Sequence, residues 1–204
     1  MTRLFLILTI YLTVFSLSAH AGDTYISGNI GVGTANENIE SISSISGYVE
    51  YNFRDNLAIR GSLNHYAGSA KSKILSDGEF EMLSVQSSFI GKVDKNTGVI
   101  PYFGFGAGYY LPENNLSAQA NKDASDIGWR ITEEISDAIG FHVVTGVILN
   151  ISDNADFEFC LKYIILSPDV KLTMTSISRG DSLYITDDVN LNTVAFNCGL
   201  RFKF

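Results

Sequence analysis

Val194-Ala195-Phe196-Asn197-Cys198-Gly199-Leu200-Arg201-Phe202-Lys203-Phe204 closes the chain. Val194, Phe196, Cys198, Leu200, Phe202 and Phe204 share one parity. Ala195, Asn197, Gly199, Arg201 and Lys203 share the other. A period of two is the signature of a strand, here apolar on one face and small or charged on the other. In a water-soluble sheet the apolar face would need a core behind it. The same alternation recurs along the chain, and an export signal precedes it. Together they predict a closed barrel whose apolar face meets lipid, because only a closed sheet satisfies its backbone there.

The first residues read as a secretory signal peptide. Arg3 supplies the positive start, Leu4 to Leu17 is apolar apart from Thr and Ser, and Ala19-His20-Ala21 is a small-residue cleavage site. The expected division is a signal peptide over residues 1–21 and one barrel domain over 22–204. The apolar run is short for a bilayer-spanning helix, and the cleavage site follows it directly. Removing Arg3 takes the formal charge from −8 to −9. That acidity argues against nucleic acid as a partner. Neither composition nor spacing implies a cofactor or a metal.

Eight strands follow from alternation, running roughly over 24–34, 43–53, 57–66, 80–93, 100–111, 139–151, from 156 onward and 194–204. The second and third fix the parity. With Phe53 paired to Leu57, Glu50 falls opposite Arg60 on the inner face, a cross-strand ion pair. A one-residue slip would turn both charges to lipid, at about 2–4 kcal/mol for an Arg near the midplane. The fifth strand carries Gly104, Gly106 and Gly108 on its inner parity, leaving room for bulky neighbours. The seventh is expected to continue past Pro168 towards Met174. A short helix is expected over Asp126 to Ile139.

An even strand number puts both termini on the periplasmic side. The turns at 54–56, 94–98 and 152–155 are then short and periplasmic. The segments near 35–42, 67–78, 112–137 and 167–190 are long and extracellular, with Glu37, Glu40, Glu113, Asp123, Asp126, Glu133 and Glu134 among them. Tyr25, Tyr51, Phe53, Phe202 and Phe204 at one end, and Tyr66, Tyr109 and Tyr110 at the other, read as two aromatic girdles. Cys160 faces in and Cys198 faces out, so no disulfide is expected between them. The inner face gathers a polar network of Glu50, Arg60, Lys92, His142, Glu158, Lys162 and Arg201. A barrel of eight strands is just wide enough for such side chains to fill.

The aromatic–glycine strand Pro101-Tyr102-Phe103-Gly104-Phe105-Gly106-Ala107-Gly108-Tyr109 and the terminal Phe204, behind an export signal, resemble the small outer-membrane β-barrel superfamily. OmpA-like and opacity-type barrels share this generic pattern. Ser136 to Gly140, Phe159 to Leu172 and Asn192 to Phe204 resemble the OmpW family more narrowly. That family shows a Trp where this chain has Lys162, and Asn-Pro-Trp where it has Asn192-Thr193-Val194. The resemblance implies an all-β, eight-stranded, antiparallel up-and-down transmembrane barrel in the bacterial outer membrane. It implies lipid and lipopolysaccharide as surroundings. It also implies recognition of Phe202 and Phe204 by the barrel assembly machinery.

Two functions are weighed. The first, implied by the resemblance, is a narrow conduit or binding pocket for small hydrophobic molecules, with Val144, Ile148 and Leu166 along the path. The second is a surface-interaction or envelope-stabilising barrel with a plugged lumen, acting through its extracellular loops. An enzyme is not expected. The His65-Tyr66-Ala67-Gly68-Ser69 stretch has the wrong spacing for an outer-membrane lipid A deacylase, and His65 reads as a head-group anchor.

Overall fold

The computed structural model describes residues 23–35, 39–70, 78–93 and 98–204. The signal segment, Glu37, the side chain of Glu40 and parts of the 67–78 and 94–98 connections lie outside the described residues. In chain order the strands are β1 (Thr24–Ala35), β2 (Ile39–Arg54), β3 (Leu57–Ala70), β4 (Gly78–Lys92), β5 (Val99–Leu116), β6 (Trp129–Ile135), β7 (Ala138–Ser152), β8 (Ala155–Ile165), β9 (Asp169–Ser176), β10 (Ser182–Asp188) and β11 (Thr193–Lys203). Among the described residues one helix, α1 (Ala118–Asp126), precedes β6.

Eight strands close an antiparallel barrel in the order β1-β11-β8-β7-β5-β4-β3-β2. The last strand pairs with the first from Tyr25↔Lys203 to Ala35↔Thr193. This seam removes the two edges that an open sheet would present to lipid. The alternation read from the sequence holds on every barrel strand. Ile30, Val32, Phe103, Phe105 and Phe141 stand outward and exposed, while Ser27, Asn29, Ser62, Gln86 and Asn197 are buried within. Aromatic rings ladder across the outer face. Phe89 lies 5.9 Å from Phe53 and 6.0 Å from Phe105, and Phe159 lies 4.7 Å from Phe157.

The β2–β3 hairpin keeps the expected pairing of Glu50 with Arg60, but its turn differs. Arg54, not Phe53, pairs with Leu57, leaving Asp55 and Asn56 as a two-residue turn. A bulge between Asn52 and Arg54 takes up the extra residue and restores the register.

The extracellular side departs further from expectation. β9 pairs with β6 and β10 in a separate three-stranded sheet. The helix expected over Asp126 to Ile139 lies earlier instead. Ser117 caps it, its hydroxyl accepting from Ala120 N at 3.1 Å, and Gly128 at φ +81° turns the chain out of it. Trp129 to Ile135 then alternates and pairs with β9. β8 does not continue to Met174. It stops at Ile165, because Pro168 has no N–H to donate to a ladder. The chain bends across the mouth there. Pro168 O and Leu166 O accept from Val189 N at 3.0 Å and Leu191 N at 2.9 Å.

Three tyrosines assigned to the girdles face inward. Tyr66 and Tyr110 are fully buried, and Tyr25 lies over Arg201. All three lie on the inner parity, which decides orientation more firmly than height along the strand. Cys160 and Cys198 are both free thiols. They occupy opposite faces of β8 and β11, where Cys160 pairs with Asn197 and Cys198 with Phe159.

Candidate functional site

The lumen is built in layers. At the periplasmic end the β2–β3 hairpin and strands β4, β8 and β11 deliver charges to one point. Glu50 Oε2 accepts from Arg60 Nε at 2.9 Å and Nη2 at 2.7 Å. Its Oε1 accepts from Lys92 Nζ at 2.5 Å and Arg201 Nη2 at 2.9 Å. One fully buried carboxylate therefore holds three cations. Arg60 Nη2 also reaches Glu158 Oε1 at 2.9 Å, and Tyr48 Oη donates to Glu158 Oε2 at 2.8 Å. Asp156 stands 3.6 Å from Arg201. Aromatic faces cover the guanidiniums, with Arg60 3.8 Å from the Tyr48 ring centre and Arg201 3.8 Å from that of Tyr25. Multiple carboxylate bonds and ring contacts are what a charge needs when taken out of bulk water.

One step outward the layer is polar but carries a different charge pattern. Lys162 Nζ donates to Asn64 Oδ1 at 3.0 Å and Gln86 Oε1 at 2.9 Å. His142 Nε2 lies 2.7 Å from Ser88 Oγ. Gly106 makes room for that ring, since a Cβ there would come within 2.8 Å of His142 Nε2. A cavity of about 20 Å³, enough for one water, lies between Lys162, Asn64, Ser62, Arg60, Glu158 and Val144.

The extracellular half is apolar. Ile39, Ile42, Tyr66, Phe80, Met82, Tyr110 and Ile164 from the wall pack with Leu166, Val170, Val189 and Leu191 from the bent segments over the mouth. Below them, a separate apolar patch of Ala58, Ile90, Ile100, Tyr102, Val144 and Ile148 lines one wall. The three residues expected along one path are thus divided. Val144 and Ile148 belong to the lower patch and Leu166 to the outer cluster.

All seven members of the expected polar network face the lumen. Glu50, Arg60, Lys92, Glu158 and Arg201 form one bonded cluster, whereas Lys162 and His142 bond to neutral partners. Sequence reading missed Tyr25, Tyr66, Tyr102 and Tyr110 as lumen residues; their parity was the available signal.

Outside the membrane span, the face of the outer sheet that carries Val170 also carries Leu172 and Met174 of β9, Ile131 and Ile135 of β6, and Leu183 and Ile185 of β10. Glu133, Ser176 and Asp187 interrupt this apolar face. Val170 sits in the outer cluster and Ile135 packs against it. On the opposite face Asp169 hydrogen-bonds Asp188 and raises its carboxyl above the usual range. On the outward face His65 lies 3.6 Å from Glu81 near the outer end of β3.

The fold is shared with solved outer-membrane barrels. OprG from Pseudomonas aeruginosa is 16% identical, with a TM-score of 0.71 over 90% of this chain and 96% of that one. Neisserial surface protein A is 17% identical, with a TM-score of 0.62 over 90% and 99%. AlkL, solved in lipid bilayers, is 16% identical, with a TM-score of 0.54 over 90% of each chain. No curated protein matches the sequence. Residues 7–202 match the outer membrane protein beta-barrel domain family. A closed eight-stranded barrel with an apolar belt, a charged interior and this match make the chain a member of that family, an outer-membrane barrel protein.

Proposed function

We propose that the protein takes small, largely apolar molecules from outside into the upper half of its lumen and releases them sideways into the membrane. The observation that carries this reading is the continuity of apolar surface. It begins at Leu183 and Ile185, exposed on β10, and crosses Leu172 and Met174. Through Val170 and Ile135 it enters the outer cluster inside the barrel mouth. Beneath that cluster the Glu50-centred ion cluster opposes an apolar passenger, which would have to displace buried, mutually bonded charges. The wall offers the alternative exit. β5 runs on to Leu116 paired with β4, but its pairing with β7 ends at Tyr110↔Ala138. The rim is lower on that side, where Leu166 Cδ1 and the Tyr110 ring lie beside Gly140 of β7.

The experiment is uptake of a hydrophobic reporter into cells carrying the full chain, a Leu191→Asp variant or no protein. Faster uptake with the wild type alone is expected. Equal uptake in all three would sink the reading.

One observation favours a second role. All seven residues of β10 are exposed, and β10 is an edge of its sheet. Such an edge suits a surface interaction. Binding to host or envelope components that survives removal of residues 177–188 would count against it.

A further inference from the structure

The charges facing the lumen do not balance. Inward of the half-exposed Lys203–Asp23 pair at the periplasmic mouth, Arg60, Lys92, Lys162 and Arg201 are four cations, and Glu50, Asp156 and Glu158 are three carboxylates. Every cation but one lies within an ion-pair distance of a carboxylate: Arg60 at 2.7 Å, Lys92 at 2.5 Å and Arg201 at 2.9 Å. The exception is Lys162. Its ammonium has two neutral amide oxygens as partners, and among the described residues no carboxylate lies within 4.0 Å. An ammonium has three hydrogens to donate, so one is left over. Lys162 also lines the internal cavity of about 20 Å³. An enclosed charge without a counter-ion is costly and favours whatever anion can reach it.

Its height in the barrel says what that anion is attached to. Lys162 stands two residues inward of Ile164 on the same face of β8, and Asn64 stands two residues inward of Tyr66 on β3. Ile164 and Tyr66 belong to the apolar outer cluster. The ammonium is therefore at the floor of the apolar half. That half also contains the Tyr110 hydroxyl, buried with no hydrogen-bond partner among the described residues. A polar donor left unsatisfied in an apolar cluster marks a place for a ligand oxygen.

We propose that Lys162 binds the carboxylate of the solute, so that the molecules taken in among the outer apolar cluster are small apolar monocarboxylates. The carboxylate replaces the missing counter-ion, and the hydrocarbon lies among Ile164, Tyr66 and their neighbours. This rests on the outer half of the lumen being the solute site, and names the class of solute.

The test uses the full chain in lipid nanodiscs, with empty nanodiscs as the control for partitioning. Equilibrium dialysis measures binding of octanoate and of 1-octanol to the wild type, Lys162→Met and Lys162→Arg. Retention of barrel folding by each variant is read from heat-modifiable gel mobility. The wild type and Lys162→Arg are expected to prefer octanoate by roughly tenfold, the scale of one charge-assisted hydrogen bond. Lys162→Met is expected to lose that preference while keeping octanol. Equal binding of both ligands by the wild type would overturn the role of Lys162 and leave the outer apolar cluster standing as the solute site. Binding of neither would overturn both. Sodium chloride that shifts the Lys162 ammonium resonance, where octanoate leaves it unmoved, would assign the site to an inorganic ion and overturn the proposal.

Discussion

Glu50 and Arg201, on strands β2 and β11, meet at 2.9 Å across the lumen. They are 151 residues apart in the chain, and β1 lies between their strands. The same carboxylate holds Arg60 and Lys92, so it ties the β2–β3 hairpin, β4 and the last strand together. Replacing Glu50 with Gln would leave these cations sharing a neutral amide. The expected cost is about 3–5 kcal/mol of stability, as for removing one partner of a buried ion pair. Urea unfolding in bilayers measures it. A loss below that of a surface pair would show that water screens the cluster.

Gly106 faces the His142 ring, and a Cβ there would also press on Ser88 Cα at 2.8 Å. Gly106→Val is expected to lower stability by about 1–3 kcal/mol, the usual scale of overpacking. The same substitution at Gly28, where nothing lies within 4 Å of an added Cβ, is expected to change little. Parallel unfolding curves of the two variants make the comparison.

Parity can be tested on neighbouring residues of β2. Ile45 is 60% exposed on the lipid side, while Ser44 is buried and donates to Asn197 Oδ1 at 2.6 Å. Ile45 pairs with His65 towards the outer end of the wall, so Ile45→Arg is expected to cost up to about 1 kcal/mol, the scale near the lipid–water interface. The measurement is folding free energy in bilayers of defined thickness. A cost that stays the same in thinner bilayers would place Ile45 away from the hydrocarbon.

Cys160 and Cys198 point to opposite sides of the barrel wall. Mild oxidation is therefore expected to leave both thiols titratable after denaturation. A mass loss of one disulfide in folded protein would contradict the register of β8 and β11.

The barrel was legible because lipid imposes a strict period of two, and each charge then fixes a register. Glu50 opposite Arg60 follows from one hairpin alone. Glu50 with Arg201 does not, since it depends on how the closed sheet is staggered. The outer sheet was illegible for another reason. In Trp129 to Ile135 the intervening residues are Arg130, Thr132 and Glu134, but Glu133 breaks the apolar side. The short helix before it is carried by its Ser117 cap more than by any apolar stripe. Tyr66 and Tyr110 sit at girdle height, but their inner parity turns them into the lumen. Of the site, the polar network was readable residue by residue. The separation of Val144 and Ile148 from Leu166 was not, because it depends on segments that bend into the mouth after Ile165 and before Thr193.

The most direct test of the account is to map where a photoactivatable apolar solute reacts with the full chain in vesicles, by mass spectrometry of the labelled peptides. The account predicts labels on the outer cluster, at residues such as Tyr110, Leu166 and Leu191, and none on Tyr25 or Lys203 beyond the ion cluster. Labels on both sides of Glu50 would show passage through the floor and contradict it.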